Sequence, residues 1–328
     1  MSRIATTGQT GQSQAAATLR QLREPAFWAD WTAAVALIIL VIVFGIGSST
    51  FLSWGNIQAI LVAAAILVML SVGQAFVILT AGIDLSVASA LTLGSVVLGQ
   101  AYSHGWNMVL ACVLAILAGI AVGVVNGLVI AKAKITDFIV TLGTLSAAAG
   151  VALILSNGEP VTIISSFLLR LATGSVGPIP YFVIVAAVVA IVAHIVLFHT
   201  RFGTHLLATG GDPEAARAMG INTDRVKIAA YTISGFLAGL ASILLAARIG
   251  AAEPAADTTF LLNSVAAVVL GGVSLFGGRG NIIGPVVGAL LLTALVNGLT
   301  LLGVSQFYQQ LAIGIIVVLA AMLMRYQR

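Results

Sequence analysis

Apolar runs recur along nearly the whole chain, near residues 32–47, 57–74, 76–101, 108–130, 138–156, 181–199, 228–247, 260–276, 282–302 and 308–324. A helix needs about 20 residues to cross a hydrocarbon layer of about 30 Å, and each run reaches or approaches that length. In lipid every backbone polar group must be paired within the structure, so only helices and closed barrels can span. Runs of this length select helices. The expectation is an all-α, polytopic membrane protein with about ten transmembrane helices. The stretch 57–101 leaves two readings open: two continuous spans, or two spans interrupted by a broken segment at Gly82–Ser86.

Charge composition excludes the main alternatives. Only 7% of the residues are charged, against about 25% in soluble domains, too few to cover a water-facing surface. A soluble enzyme is excluded on this ground, and disorder on the high hydrophobicity. The formal net charge of +4 is spread thinly between apolar segments, which reads as topology rather than as nucleic-acid binding. Cys112 is the single cysteine, so neither a disulfide framework nor a thiolate metal site can form within one chain.

Residues 1–30, with Gly8, Gly11, Gln9, Gln12, Ser13 and Gln14, read as a cytosolic tail, and no apolar core precedes a cleavage site as in a signal peptide. Leu19, Leu22, Phe27, Trp28 and Trp31 could instead lie in the interface before the first span. Residues 31–328 form the transmembrane domain. With ten spans and a cytoplasmic N-terminus, the inner side holds Arg3, Arg20, Arg23, Lys132, Lys134, Arg201, Arg217, Arg225, Lys227, Arg279, Arg325 and Arg328. The outer side keeps only Arg170 and Arg248, a strong positive-inside asymmetry that places both termini in the cytoplasm. Two echoes, Val77-Ile78-Leu79 with Val268-Val269-Leu270, and Val125-Asn126-Gly127-Leu128 with Val296-Asn297-Gly298-Leu299, hint at an inverted repeat of spans 2–5 and 7–10, a design common in transporters.

Arg201 to Lys227 is the longest polar stretch after the tail. Within it Asp212 suits an N-cap, Pro213 the first helical position, Glu214 the positive end of the dipole, and Gly220 a left-handed closure. The product is a helix of about two turns, too short to stand alone in water. It either rests on its own protein and the headgroups or docks against a cytosolic partner.

Glu214-Ala215-Ala216-x-x-x-Gly220 resembles the E-A-A-x-x-x-G coupling loop of ABC importer permeases, although the I-x-L-P ending of the general loop is absent. From about residue 35 onward the chain resembles the permeases of ribose-type, monosaccharide ABC importers. The matching stretches are Thr80–Val87, Asp137–Thr144, Gly210–Gly220, Gly271–Gly280 and Gly284–Ala289. The resemblance implies an inner-membrane permease that moves a monosaccharide or sugar-like solute into the cytoplasm of a bacterium. It also implies a separate ABC ATPase subunit, an extracytoplasmic sugar-binding protein and a second permease subunit, with a homodimer expected ahead of a pair of different permeases. It assigns coupling to Gly210, Asp212, Glu214, Ala215, Ala216, Arg217 and Gly220. No G-x-x-x-x-G-K-[ST] occurs, so ATP hydrolysis belongs to a partner and the chain itself is not an enzyme.

Polar residues within the runs are candidate pathway groups. An acid at mid-bilayer costs roughly 2.5–3.5 kcal/mol on insertion scales, which singles out Asp84. It either faces the pathway or caps a helix starting at Leu85, and the Gly-x-Asp-x-Ser pattern favours the cap. Ser86, Asn126, Thr141, Thr144, Ser146, Asn263 and Asn297 could line a path for sugar hydroxyls or bond helices together. Arg279 marks orientation and Asn281 an N-cap. Gly271, Gly272, Gly277, Gly278, Gly280, Gly284 and Gly288 crowd a region of close backbone approach. His194, His199 and His205 lack metal-site spacing, and neither a cofactor nor a catalytic group is indicated. Three other readings stay open: an ion-coupled secondary transporter using Asp84, an ABC permease for branched-chain amino acids, and a scaffold without transport.

Overall fold

A computed structural model describes residues 25–325. Arg3, Arg20, Arg23, Leu19, Leu22 and Arg328, with the rest of 1–24 and 326–328, lie outside the described residues. The chain is mostly helical. In order, α1 is Pro25–Gly47, α2 Trp54–Leu79, α3 Val87–Ser103, α4 Met108–Ala133 and α5 Asp137–Ser156. Then come β1 (Val161–Thr162), α6 (Ser166–Thr173), β2 (Ser175–Val176), β3 (Ile179–Pro180), α7 (Tyr181–His199), α8 (Arg201–Gly211) and α9 (Pro213–Ala218). The chain continues with α10 (Thr223–Ile249), β4 (Ala251–Ala252), α11 (Thr258–Leu270), α12 (Ile283–Leu301) and α13 (Gln306–Arg325). α1 opens inside the segment read as a tail.

Every apolar run therefore has its helix, with boundaries that local chemistry explains. The run 57–101 is the broken form of the two open readings. α2 continues past residue 74 to Leu79, the chain breaks over residues 80–86, and α3 begins at Val87. Ala81 turns the break with a left-handed backbone, φ 61°. The eighth run stops early, because α11 ends at Leu270 and a glycine-rich loop follows. Among the described residues six helices, α2, α4, α5, α7, α10 and α12, are long and apolar enough to cross a membrane, and α1, α3 and α11 contribute shorter apolar segments. Two minor two-stranded ribbons qualify the all-α expectation: β1 pairs antiparallel with β4, and β2 with β3.

α3 and the second half of α2 form the centre, with α2 buried continuously from Ala64 to Leu79. α10 lies against α2, α3 and α4. Lipid tails are as apolar as leucine side chains, so close packing rather than the hydrophobic effect must hold helices together there. The α4–α10 contact shows how. Gly119, Gly123 and Gly127 place the α4 backbone directly against the α10 backbone, where β-carbons would meet Gly235, Tyr231 and Ile228.

The connections sort into two sets. At one end meet the 80–86 break, the α4–α5 turn, α8 with α9, and the loop after α11. At the other, β1 pairs with β4, Tyr102 donates to Ile164 O at 2.6 Å, and Gln58 donates to Pro178 O at 3.2 Å.

Candidate functional site

Five of the candidate pathway residues meet in one buried network around the break. Asp84 carries it. Its Oδ1 accepts from Ser86 N at 2.9 Å and Ser86 Oγ at 2.6 Å, and its Oδ2 accepts from Ser234 Oγ at 2.8 Å. The carboxyl group thus satisfies a free amide at the start of a helix, as a cap does. The helix starts at Val87 rather than Leu85, with Ser86 at the capping position. The network extends outward from Ser86. Asn126 Nδ2 donates to Ser86 Oγ at 2.7 Å, and Thr144 Oγ1 donates to Asn126 Oδ1 at 2.6 Å. Thr141 Oγ1 donates to Asp137 O at 2.7 Å and reaches Ile83 O at 3.3 Å. Asp137, at the first position of α5, accepts from Ile83 N at 2.7 Å.

Three participants escaped the reading of the sequence. Ser234 on α10 is one. Gln74 on α2, with its amide oriented to satisfy both groups, donates to Asp84 O at 3.1 Å and accepts from Asp84 N at 3.2 Å. Tyr231 donates to Ile83 O at 3.4 Å. The available signal was a glutamine deep within an apolar stretch, since a polar group at membrane depth demands a partner. Asp84, Ser86, Gln74, Asn126, Thr141 and Ser234 are all buried, whereas Thr144 is half-buried and Ser146 is exposed. Such satisfied networks rigidify what they hold, here an irregular segment that lipid could not tolerate.

Asn297 sits elsewhere. It exchanges two amide hydrogen bonds of 2.9 Å with Asn56, joining α12 to the start of α2. Asn263 is half-buried on α11, apart from both groups. Asn281 accepts from Gly284 N at 2.6 Å and so caps the start of α12.

The polar segment 201–227 folds as two short helices and the start of α10. Thr200 caps α8 by accepting from Gly203 N. Asp212 caps α9, with Oδ1 accepting from Glu214 N and Ala215 N at 2.9 Å, and Pro213 occupies the first turn. Gly220 closes the helix at φ 83°, while Ile221 N donates to Ala216 O at 3.0 Å. Ala216 is the buried residue of the Glu214–Gly220 stretch, and the others stand exposed. Gly210 anchors the whole element. A β-carbon there would collide with Leu79 O and approach Gly278 N to 2.7 Å. Gly278 N itself donates to Leu79 O at 3.0 Å. Three backbones thus meet where α2 ends and the break begins. On the far side of α9, Arg217 Nε donates to Thr223 Oγ1 at 2.8 Å, and Asp224 draws in Lys134 at 2.8 Å, Lys132 at 3.5 Å and Arg217 at 3.8 Å. Among the described residues no cluster of three or more metal-ligating side chains forms.

Comparison with known proteins matches residues 56–321 to the family described as branched-chain amino acid transport system / permease component. The ribose import permease RbsC of Escherichia coli K12 is 38% identical over 292 residues, covering 88% of this chain and 91% of the relative. RbsC of Bacillus subtilis strain 168 is 39% identical over 293 residues, 89% and 91%. The D-allose transport system permease AlsC of Escherichia coli K12 is 34% identical over 301 residues, 91% and 92%. No solved structure matches. The chain belongs to this family of ABC importer permeases and is a ribose-type member, a multi-pass protein of the inner membrane.

Proposed function

We propose that this chain is one half of the membrane gate of an importer that moves a monosaccharide or sugar-like solute into the cytoplasm, driven by ATP hydrolysis on a separate subunit. ABC importer permeases work with an ATPase and a substrate-binding protein. The solute class rests on the ribose and allose named for the relatives. The second half is another copy of the chain, with lipid around the pair. The observation that carries the mechanism is the Gly210–Leu79–Gly278 junction. The exposed helix α9 follows directly on α8, whose Gly210 makes a backbone contact at the end of α2, where the break that Asp84 holds begins. A push on Glu214, Ala215 or Arg217 therefore has a rigid route to the segment between two spans.

In this reading Asp84, Ser86, Asn126, Thr141 and Thr144 act on the pathway by fixing the break, while Ser146 stands exposed on α5. Asn263 and Asn297 complete the set of candidate pathway residues. Three hydrogen bonds engage both oxygens of Asp84, which disfavours a lone proton or cation carrier.

Ten crossings with both termini inside are supported by the sorting of the connections. Lys132, Lys134, Arg217 and Arg225 gather at the end where Gly210 and the break lie, and Arg170 and Arg248 flank the ribbons at the other. The inverted repeat is supported by packing: α10 lies on α4 as α2 lies on α12, and α3 meets α4 as α11 meets α12. This pairing matches α4 with α12, as the Asn126 and Asn297 echo requires. The Val77 and Val268 echo joins α2 to α11 and does not fit it. The domain is taken as 31–328 with its coupling segment at 201–227.

Reconstitution with the ATPase and binding protein tests the reading. Uptake should require ATP and both partners, and Glu214→Arg should abolish it. Uptake by the chain alone on an ion gradient would overturn it.

A further inference from the structure

The Asp224 cluster does more than brace α9. Asp224 pairs with three cations, Lys132, Lys134 and Arg217, so the group keeps an excess of positive charge. The lysine side chains are 62% and 59% exposed despite their ion pairs. Exposed pairs of this kind contribute little stability. What the pairing does is geometric: it holds the α4–α5 turn, where Lys134 adopts a left-handed backbone at φ 57°, in fixed register with the end of α9. Between them lies a recess of about 380 Å³ walled by Lys134, Arg217, Gly220, Ile221 and Asp224. Beside it Met219 stands 83% exposed. A flexible apolar side chain this bare, next to a cationic rim and a concave wall, has the composition of a contact surface: an apolar anchor with charges that set orientation and rate.

We propose that the ATPase subunit docks beyond the Glu214 face of α9, across Met219 and the recess and onto the Lys132–Lys134 turn, which forms a second patch of its docking surface. It receives an acidic segment of that subunit, with an apolar hollow for Met219. The proposal rests on the importer reading, which supplies an ATPase at this end of the molecule. Charge complementarity fixes the chemistry of the occupant. Two contact patches on one rigid platform resist rotation about α9, so a movement of the ATPase is delivered as a push rather than lost as a swivel.

The test uses the full-length permease in neutral detergent, with binding of its ATPase subunit measured across a salt titration. Lys132→Glu/Lys134→Glu should weaken binding by about tenfold or more at low salt, with the difference closing as salt rises. Met219→Ser should weaken it at every salt concentration, since it removes an apolar contact without changing charge. Asp224→Asn removes the tie but keeps the cations, and should retain low-salt affinity; this separates lost charge from a displaced turn. Unchanged affinity and salt slope in the double variant would overturn the proposal, as would an effect confined to vesicles containing anionic lipid, which would assign the patch to headgroups. Glu214→Arg run alongside separates the two readings. If it abolishes binding while the lysine variants do not, only the second surface fails; if none has an effect, the coupling role of α9 fails with it.

Discussion

Gly210 lies so close to Leu79 that a β-carbon on the glycine would run into the carbonyl oxygen of the leucine, the same oxygen that accepts from Gly278 N at 3.0 Å. The contact is backbone on backbone, so no side chain can swing aside to relieve it. Gly210→Ala is therefore expected to separate α8 from the end of α2 and to cost about 1–3 kcal/mol, the usual penalty of overpacking. Gly211→Ala is its control, because a β-carbon there would meet only Gly278 Cα, at 3.9 Å. Thermal unfolding in detergent should resolve the two, and ATP-driven uptake should fall in the first and persist in the second.

Asn126 bridges two hydroxyls at once, donating to Ser86 and accepting from Thr144. Asn126→Ala takes the donor from the buried Ser86 Oγ, at a cost of about 1–3 kcal/mol, while Thr144 falls back on Val140 O and Thr141 O. Ser234→Ala removes the donor to Asp84 Oδ2 and should cost a similar amount. Because both act through the break, the double variant should lose less than the sum, and chemical denaturation of the four proteins measures that shortfall.

How much of this was written in the sequence depends on the range of the interaction. Asp212, Pro213 and Gly220 declare the ends of α9 locally, through an oxygen, a fixed φ and a missing β-carbon, and the helix forms between them. The break at residues 80–86 was legible as one of two readings, because Gly82, Asp84 and Ser86 are poor company for a continuous span. The convergence of Ser86, Asn126 and Thr144 was not legible: they come from the break, α4 and α5, and nothing in their spacing says that they meet. Gln74 shows the limit most clearly. It contacts the backbone of Asp84, and no property of residue 74 within its own helix points there.

Asn56 and Asn297 exchange both amide bonds, so each side chain donates to and accepts from the other. Hydrogen bonds between membrane helices average about 0.6 kcal/mol and reach about 1.7 kcal/mol in double-mutant cycles, because the unfolded chain in lipid also finds partners. The cycle Asn56→Ala, Asn297→Ala and the double variant should return a coupling near the upper value, since two bonds break together. Asn56 also donates to Phe51 O at 2.8 Å, so Asn56→Ala alone should cost more than Asn297→Ala alone.

Gly123 and Gly143 offer a contrast between two helices of the same bundle. A β-carbon on Gly123 of α4 would strike the carbonyl of Tyr231 on α10, whereas one on Gly143 of α5 would meet nothing within 4 Å. Without water to drive association, α4 and α10 hold together by the closeness of their backbones, and a methyl group forces them apart along the whole contact. Tyr231 and Ser234 ride on α10, so that displacement also pulls their hydroxyls away from Ile83 and Asp84. Gly123→Ala should therefore lower the unfolding temperature and reduce uptake, while Gly143→Ala leaves the unfolding temperature of the single chain unchanged. Comparable losses from both would mean that the α4–α10 contact does not set the position of the break.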